Sequence, residues 1–363
     1  MRGSVVKRGE RRYSIVWRAP DPATGKVRQM WRSGFSTRAA AEQTLKDTVS
    51  AIDAGTYVPP TKSTLGQFVR DKWLPSIEAE VVGGSLKPTT AAFYRNLVTA
   101  HVIPKIGGIP LARLDAPRLN AFYGELLREG RTDGKGGLSR TTVHSIHVVI
   151  SRALSDAVRW NLVARNVAKA AKPPTPTRTE MAVWGAEELR TFLLSVADDR
   201  LVALWHLAAT TGLRRGELCG LRWRDLDLAA RRLSVTGTRV TVGYRVADST
   251  PKTAKSSRTI GLDSDTAELL RFHHRRQLAE AGEFPGWSNA TGLVFVREDG
   301  TPYHPQRITG MFEAAAKRAG LPAIRLHDLR HSYATAALEA GVSLKVVSER
   351  LGHSNLAITA DLY

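Results

Sequence analysis

Three prolines fall within four residues at Pro173, Pro174 and Pro176. Proline fixes φ and lacks the backbone N–H, so no helix continues through this stretch, which forms an extended, semi-rigid connector. The chain is thereby divided into blocks that each need a core of their own, and 363 residues are enough for two or three of them. Residues 171–182 are expected to be the linker.

Residues 4–32 read as short strands. Tyr13-Ser14-Ile15-Val16-Trp17-Arg18 alternates in character, Asp21-Pro22-Ala23-Thr24-Gly25 is a turn cluster, and Val27 to Trp31 return as the next strand. Ser36 or Thr37 is placed to cap a helix that runs to about Ala54 and stops at Gly55. The expected product, over 1–58, is a three-stranded sheet backed by one helix, with Arg11, Arg12, Arg18, Arg28 and Arg32 lining its open face. Tyr57-Val58-Pro59-Pro60 reads as a second linker.

From Leu65 to about Ala168 the pattern is helical, with segments near 65–74, 88–103, 116–129 and 139–160. Pro88 suits a first helical turn, and Ser139 suits an N-cap ahead of Val143, Ile146, Val149 and Ile150. These segments predict a helical bundle over 61–170. Gly130-Arg131-Thr132-Asp133-Gly134-Lys135-Gly136 has the wrong glycine spacing for a phosphate loop and no Ser or Thr after Lys135, so it reads as a flexible interhelix loop. Over 183–363 helices dominate, interrupted by strands near 232–247 and 256–262.

A formal charge of +19 and a pI near 10.4 call for a polyanionic partner, either nucleic acid or an anionic membrane surface. No apolar run approaches the roughly 20 residues that span a bilayer. The best, Leu201 to Leu213, is interrupted by His206 and has the length of a buried helix. Met1-Arg2-Gly3-Ser4 lacks the apolar core of a secretory signal, and the single cysteine, Cys219, can form no intrachain disulfide; both suit a reducing cytoplasm. Basic residues outnumber acidic ones by 11 to 5 in residues 1–60, 17 to 8 in 61–172 and 25 to 21 in 173–363. The grip on a polyanion is thus expected in the first two blocks and chemistry in the third.

Breaking a phosphodiester without a metal takes a nucleophile, cationic donors for the non-bridging oxygens and an acid for the leaving oxygen. Arg214 follows Thr211-Gly212-Leu213, so it can start a helix after a glycine turn, where free N–H groups also favour an anion. Glu217, three residues on, shares that helix face and can orient Arg214. His327 and Arg330, also three apart, project from one side of a helix, giving a second phosphate clamp with a hydrogen-bonding imidazole beside it. Lys252 and Lys255 lie in an expected hairpin between strands, from which an ammonium can reach a leaving oxygen. His353 follows Gly352 at an expected helix start, and Tyr363 ends the chain with a hydroxyl that is protonated at neutral pH unless cations ease its proton away. His273, His274, His331 and Tyr333 are assigned to packing or surface roles. No His, Cys or carboxylate cluster has metal-ligand spacing, and no metal or cofactor is expected.

Taken singly, Arg-x-x-Glu also describes an ordinary surface ion pair, and His-x-x-Arg is a common spacing. Their order here, Arg214, Lys252, His327-x-x-Arg330-His331-Ser332-Tyr333, Leu351-Gly352-His353 and Tyr363, resembles the tyrosine recombinase (phage integrase) family. The resemblance covers nearly the whole chain, and is most specific over 204–263 and 326–363.

It implies a multidomain, mainly α protein: an arm-type DNA-binding domain at 1–58, a helical core-binding domain at 61–170 and a mixed α+β catalytic domain at 183–363. It marks Arg214 rather than Arg215 as catalytic, assigns the general acid to Lys252 with Lys255 as the alternative, and makes His353 a donor to the scissile phosphate. Tyr363 becomes the nucleophile of a 3′-phosphotyrosine intermediate. The implied partner is double-stranded DNA carrying attachment sites, bound by a homotetramer that integrates or excises a phage or other mobile element, with room for an accessory excision or DNA-bending factor. Two other readings stand beside it: a catalytically idle, integrase-derived DNA-binding protein and a type IB topoisomerase-like strand-passage enzyme. In the family further residues usually follow the tyrosine, whereas Tyr363 is terminal here.

Overall fold

The alternation in the first block produces the expected sheet. In the computed structural model, which describes residues 3–20, 27–54, 57–58, 63–177, 182–243, 245–249, 257–352, 355 and 360, β1 (Gly3–Gly9), β2 (Arg12–Pro20) and β3 (Val27–Phe35) pair antiparallel in that order. Ile15, Trp17 and Ala19 point to one side and are buried with Ala41 of α1 (Arg38–Asp53). Of the two expected caps Thr37 serves, its hydroxyl accepting from Ala40 N at 3.3 Å. Gly55, the 21–25 turn cluster, Pro59 and Pro60 lie outside the described residues.

The register corrects one expectation. Arg28 pairs with Ala19 and Arg32 with Ile15, so both lie on the helix side of the sheet rather than on its open face. Arg12 and Arg18 alternate with the buried residues and lie on the open face, while Arg11 occupies the β1–β2 turn with φ 52°.

The second block is a bundle with its own core. α2 (Leu65–Phe68) passes through a π-helical turn (Val69–Trp73) into α3 (Leu74–Val82), so the run reaches 82 instead of the expected 74. Pro75 occupies the first turn of α3, where its missing N–H costs no hydrogen bond. α4 (Pro88–Leu97), a second π turn (Val98–Val102) and α5 (Ile103–Ile106) repeat the device. α6 (Ala116–Glu129) and α7 (Arg140–Arg159) close the bundle, the latter capped by Ser139, whose hydroxyl accepts from Thr142 N at 3.1 Å. Trp73, Ile77, Phe122, Leu126, Ile146 and Leu154 fill the core, and the Trp73 indole N–H donates to the buried Asp156 carboxylate at 2.8 Å. The loop at 130–136 is tied by a two-pronged Arg131–Asp133 ion pair at 3.0 and 2.6 Å. The linker leaves the bundle with Lys172 N donating to Asn120 Oδ1 at 2.7 Å.

These two cores share one compact unit, Met1–Arg178; the second unit is Thr179–Tyr363, so the division falls inside the proline-rich connector. The second unit is built on α8 (Ala186–Ser195), α9 (Val202–Thr211) and α10 (Arg215–Gly220), followed by β4 (Leu226–Asp227), β5 (Arg232–Val235), β6 (Thr238–Val242), β7 (Arg245–Ser249) and β8 (Arg258–Gly261). Four helices complete it: α11 (Ser264–Glu283), α12 (Pro305–Arg318), α13 (Asp328–Glu339) and α14 (Leu344–Leu351). α9 is buried along most of its length, as its composition demands, and Trp184, Phe192, Trp205 and Phe312 pack ring against ring beside it.

β4, β5 and β8 form one sheet and β6 and β7 another. The hairpin expected around Lys252 and Lys255 lies outside the described residues. α10 lies flush on β6, because a Cβ at Gly216 or Gly220 would come within 3.0 Å of Arg239 O or 2.9 Å of Arg239 N. Among the described residues no helix is long and apolar enough to cross a membrane.

Candidate active site

The turn that ends α9 sets up the site. Gly212 adopts φ 61°, a left-handed conformation that favours glycine, and its carbonyl and the following residues turn into α10. Arg214 sits at the N-cap of that helix with extended backbone. Glu217 accepts from the Arg214 backbone N at 2.9 Å and from its guanidinium at 3.0 Å, the orienting role its spacing suggested.

Glu217 has a second cation that sequence reasoning missed. Arg258, at the start of β8, donates two guanidinium N–H groups to the Glu217 carboxylate at 3.1 and 2.9 Å, and its Nε donates to Arg350 O at 2.6 Å. With 53 Lys and Arg residues in the chain, one more arginine on a strand is no signal by itself. Burial pushes the Glu217 carboxyl up, but hydrogen bonds and charge from Arg258, then Arg214, outweigh it and hold the group below its ordinary value. It stays ionised at neutral pH.

Arg330 comes from the first turn of α13 and is 3 % exposed. It donates to Gly212 O at 2.8 Å and to Leu351 O at 2.6 Å, so it spans the turn before Arg214 and the end of α14. Arg214 reaches the same helix end, donating to Leu351 O and Gly352 O at 3.4 Å each. Cations at a helix C-terminus are favourably placed, since the last carbonyls lack intrahelical partners. Arg214 keeps 38 % of its side chain exposed, whereas Arg258 keeps 7 %. One arginine is thus open to solvent and the other is packed behind it.

His327 is the N-cap of α13 and remains open to solvent, with its ring edge-on to His331 at 5.4 Å. Desolvation by its neighbours, followed by the charges of His331, Arg330 and Arg214, lowers its pKa, with Asp328 opposing. A neutral imidazole offers one donor and one acceptor nitrogen.

The structure therefore brings Arg214, Glu217, His327 and Arg330 together. Lys252, Lys255, His353 and Tyr363 lie outside the described residues. Gly352 does not begin a helix, as expected from sequence, but ends one: with φ 67° it is the left-handed C-cap of α14. His273, His331 and Tyr333 are buried packing residues, and the His274 ring packs tilted against Trp223 with centroids 4.3 Å apart.

On the open face of the N-terminal sheet, Trp31 pairs with Val16, is 48 % exposed, and carries the Arg8 guanidinium over its ring at 4.8 Å. With Arg12 and Arg18 it makes a basic face containing one aromatic ring. Neither Arg8 nor Trp31 was expected there, because their face depends on register.

Comparison with known proteins places this geometry in context. Residues 186–363 match the phage integrase family, and residues 4–52 match an arm DNA-binding domain. A tyrosine recombinase XerC-like protein of Caldanaerobacter subterraneus subsp. tengcongensis is 30% identical over 99% of this chain and 94% of its own length. Among solved structures, the Tn1549 transposon integrase in complex with a circular intermediate DNA has a TM-score of 0.68 at 19% identity, over 83% of this chain and 95% of that one. A lambda integrase tetramer bound to a Holliday junction has a TM-score of 0.57 at 18% identity, over 97% and 95% of the two chains. At these identities the structural likeness is one of fold.

Proposed function

Because this chain belongs to the phage integrase family of tyrosine recombinases, we propose that it cleaves and rejoins double-stranded DNA at attachment sites through a 3′-phosphotyrosine formed by Tyr363. Such proteins serve phages and other mobile elements, and integration or excision of one is the reaction proposed here. The observation that carries the reading is the convergence of Arg214 and Arg330 on one acceptor, Leu351 O. A non-bridging phosphate oxygen is an acceptor of the same kind with more charge, and guanidinium forks match it.

In this reading the Tyr363 hydroxyl releases its proton to solvent as its oxygen attacks phosphorus, the P–O5′ bond breaks, and Lys252 gives a proton to the leaving oxygen, with Lys255 as its alternative. Arg214 and Arg330 hold the charge that builds on the non-bridging oxygens. His327, neutral at pH 7, and His353 supply hydrogen bonds to the same phosphate. Rejoining reverses the step: a 5′-hydroxyl attacks the phosphotyrosine and the tyrosine leaves, so the bond energy is kept and neither ATP nor another activating group is consumed.

Residues 1–58 would bind arm-type sites through the open face of the sheet, 61–170 would grip the core site, 171–182 would connect them to the catalytic domain, and 183–363 would carry out the reaction. A homotetramer in the cytoplasm, with or without a DNA-bending or excision partner, is the proposed working form. The test is a denaturing gel. Wild-type protein incubated with a nicked duplex, carrying the sequence it selects from a randomised pool, should form a covalent adduct that Tyr363→Phe does not. A site-bound wild-type protein that forms no adduct would make it an idle DNA-binding protein.

A further inference from the structure

Arg258 has no role in the proposed reaction, although three hydrogen bonds engage its guanidinium within the site. Its guanidinium holds both oxygens of Glu217, its Nε holds Arg350 O at the end of α14, and a Cβ on Gly352 would come within 3.0 Å of it. It is 7 % exposed, so its donors are directed into protein rather than towards a ligand surface. Glu217 in turn holds the backbone and side chain of Arg214. One side chain therefore ties together the helix that presents Arg214, the first residue of β8, and the helix end on which Arg214 and Arg330 converge.

We propose that Arg258 is a positioning residue: through Glu217 it sets the direction of the Arg214 guanidinium, and through Arg350 O it fixes the end of α14 against both clamp arginines. This inference rests on Arg214 acting as a phosphate ligand. Glu217 with Arg214 alone is an i, i+3 pair in which one partner is part-exposed, and such pairs hold a long side chain weakly. The bidentate hold from Arg258 removes the carboxylate's freedom, and a site loosened by about 1 Å loses on the order of 100-fold in rate.

The experiment is a double-mutant cycle read as both cleavage rate and DNA affinity, on a nicked duplex carrying the sequence the protein selects from a randomised pool. Arg258→Met should slow adduct formation by about 100-fold while the Kd for the duplex stays within about threefold, because Arg258 touches no ligand surface. Glu217→Gln should act similarly, and the double variant should be no slower than the slower single variant, since the hold of Arg258 on Arg214 runs through Glu217. Rate losses that multiply, or a Kd that rises in step with the rate loss, would overturn the proposal.

If Arg258→Met fails to fold by circular dichroism, Arg258→Lys is read instead. It keeps the charge but not the fork, and should still lose at least about tenfold in rate; a wild-type rate overturns the proposal. Arg214→Ala separates the two ideas. If it cleaves normally, the phosphate-ligand reading has failed. If it is inactive while both Arg258 variants cleave normally, the reading stands and the positioning role falls.

Discussion

Arg214 and Arg330 donate to a single oxygen, the main-chain carbonyl of Leu351, at 3.4 and 2.6 Å. They arrive from the starts of two different helices, α10 and α13, and meet at the end of a third, α14. Arg214→Ala and Arg330→Ala should each slow adduct formation by at least about 100-fold, the cost of losing one donor to a developing anion. DNA affinity, measured by gel shift at the same salt, should change by only a few-fold. Large losses of binding in both variants would end the clamp assignment.

Lys252 is tested by changing the leaving atom. Lys252→Ala should slow cleavage of a normal 5′-oxygen substrate, yet approach the wild-type rate when that oxygen is replaced by sulfur, which leaves without needing a proton. Equal loss on both substrates would take the general-acid role from Lys252, and the same pair of substrates then examines Lys255.

The sheet register separates arginines that look alike in sequence. Arg18→Ala should lower the salt dependence of arm-site binding by about one unit of log–log slope. Trp31→Ala should weaken binding by about tenfold without changing that slope, since it removes contact area and no charge. Arg28→Ala and Arg32→Ala, from the helix side, should do less than Arg18→Ala; equal effects would argue that DNA meets the other face.

Acid should unfold the second compact unit in two stages. Desolvation lowers the pKa values of His206, His273, His327 and His331, so each is favoured in its neutral form. A depressed pKa contributes stability that is complete above the unfolded value, near 6.5 for histidine, and is lost as pH falls below it. Glu217, also depressed, contributes above its unfolded value near 4.3 and loses that contribution as pH falls through its lower folded value. The Tm should be level from pH 8 to 7, fall below about pH 6.5, and fall again below about pH 4.3. His273→Gln, which keeps a donor for Val294 O, should flatten the first step; a Tm that rises between pH 7 and 5.5 would contradict the assignment.

Gly212→Ala should destabilise by about 2 kcal/mol, because φ there is 61° and the new Cβ would lie 2.7 Å from Leu351 and Tyr333 side-chain atoms. Gly237→Ala, where nothing lies within 4 Å, is the control and should leave the Tm unchanged. Similar Tm losses in both would show that backbone freedom, not the crowded turn, is what matters.

Local signals carried most of what was legible from sequence. Ser139 and Thr37 mark helix starts because a side-chain oxygen must meet an orphan N–H within three residues, and α6 spans the expected 116–129. The Arg214–Glu217 and His327–Arg330 relations were readable for the same reason, since three residues is one helical turn. Arg258 was not, because its partner Glu217 is 41 positions away and no periodicity links a strand residue to a helix residue. The face chosen by Arg28 and Arg32 depends on their pairing with Ala19 and Ile15 of β2, and a one-residue shift would exchange the two faces. Gly352 illustrates a third limit: glycine marks a helix boundary without saying whether the helix is beginning or ending, and here it ends α14.

The π turns at Val69–Trp73 and Val98–Val102 make chain length, as well as chain composition, a determinant of the bundle. Each turn stores a surplus residue inside a helix that continues on both sides. Deleting one residue there would restore ordinary winding and leave the helix beyond in place, whereas a deletion from the regular turns of α2 or α4 would turn everything downstream by about 100° about the helix axis, carrying Trp73 away from Asp156 in one case and Ile106 out of the core in the other. Point substitutions at these turns can be absorbed by repacking. A change of count can be absorbed only at the π turns, so the bundle should tolerate a single-residue deletion there and not in the regular turns of the same two helices.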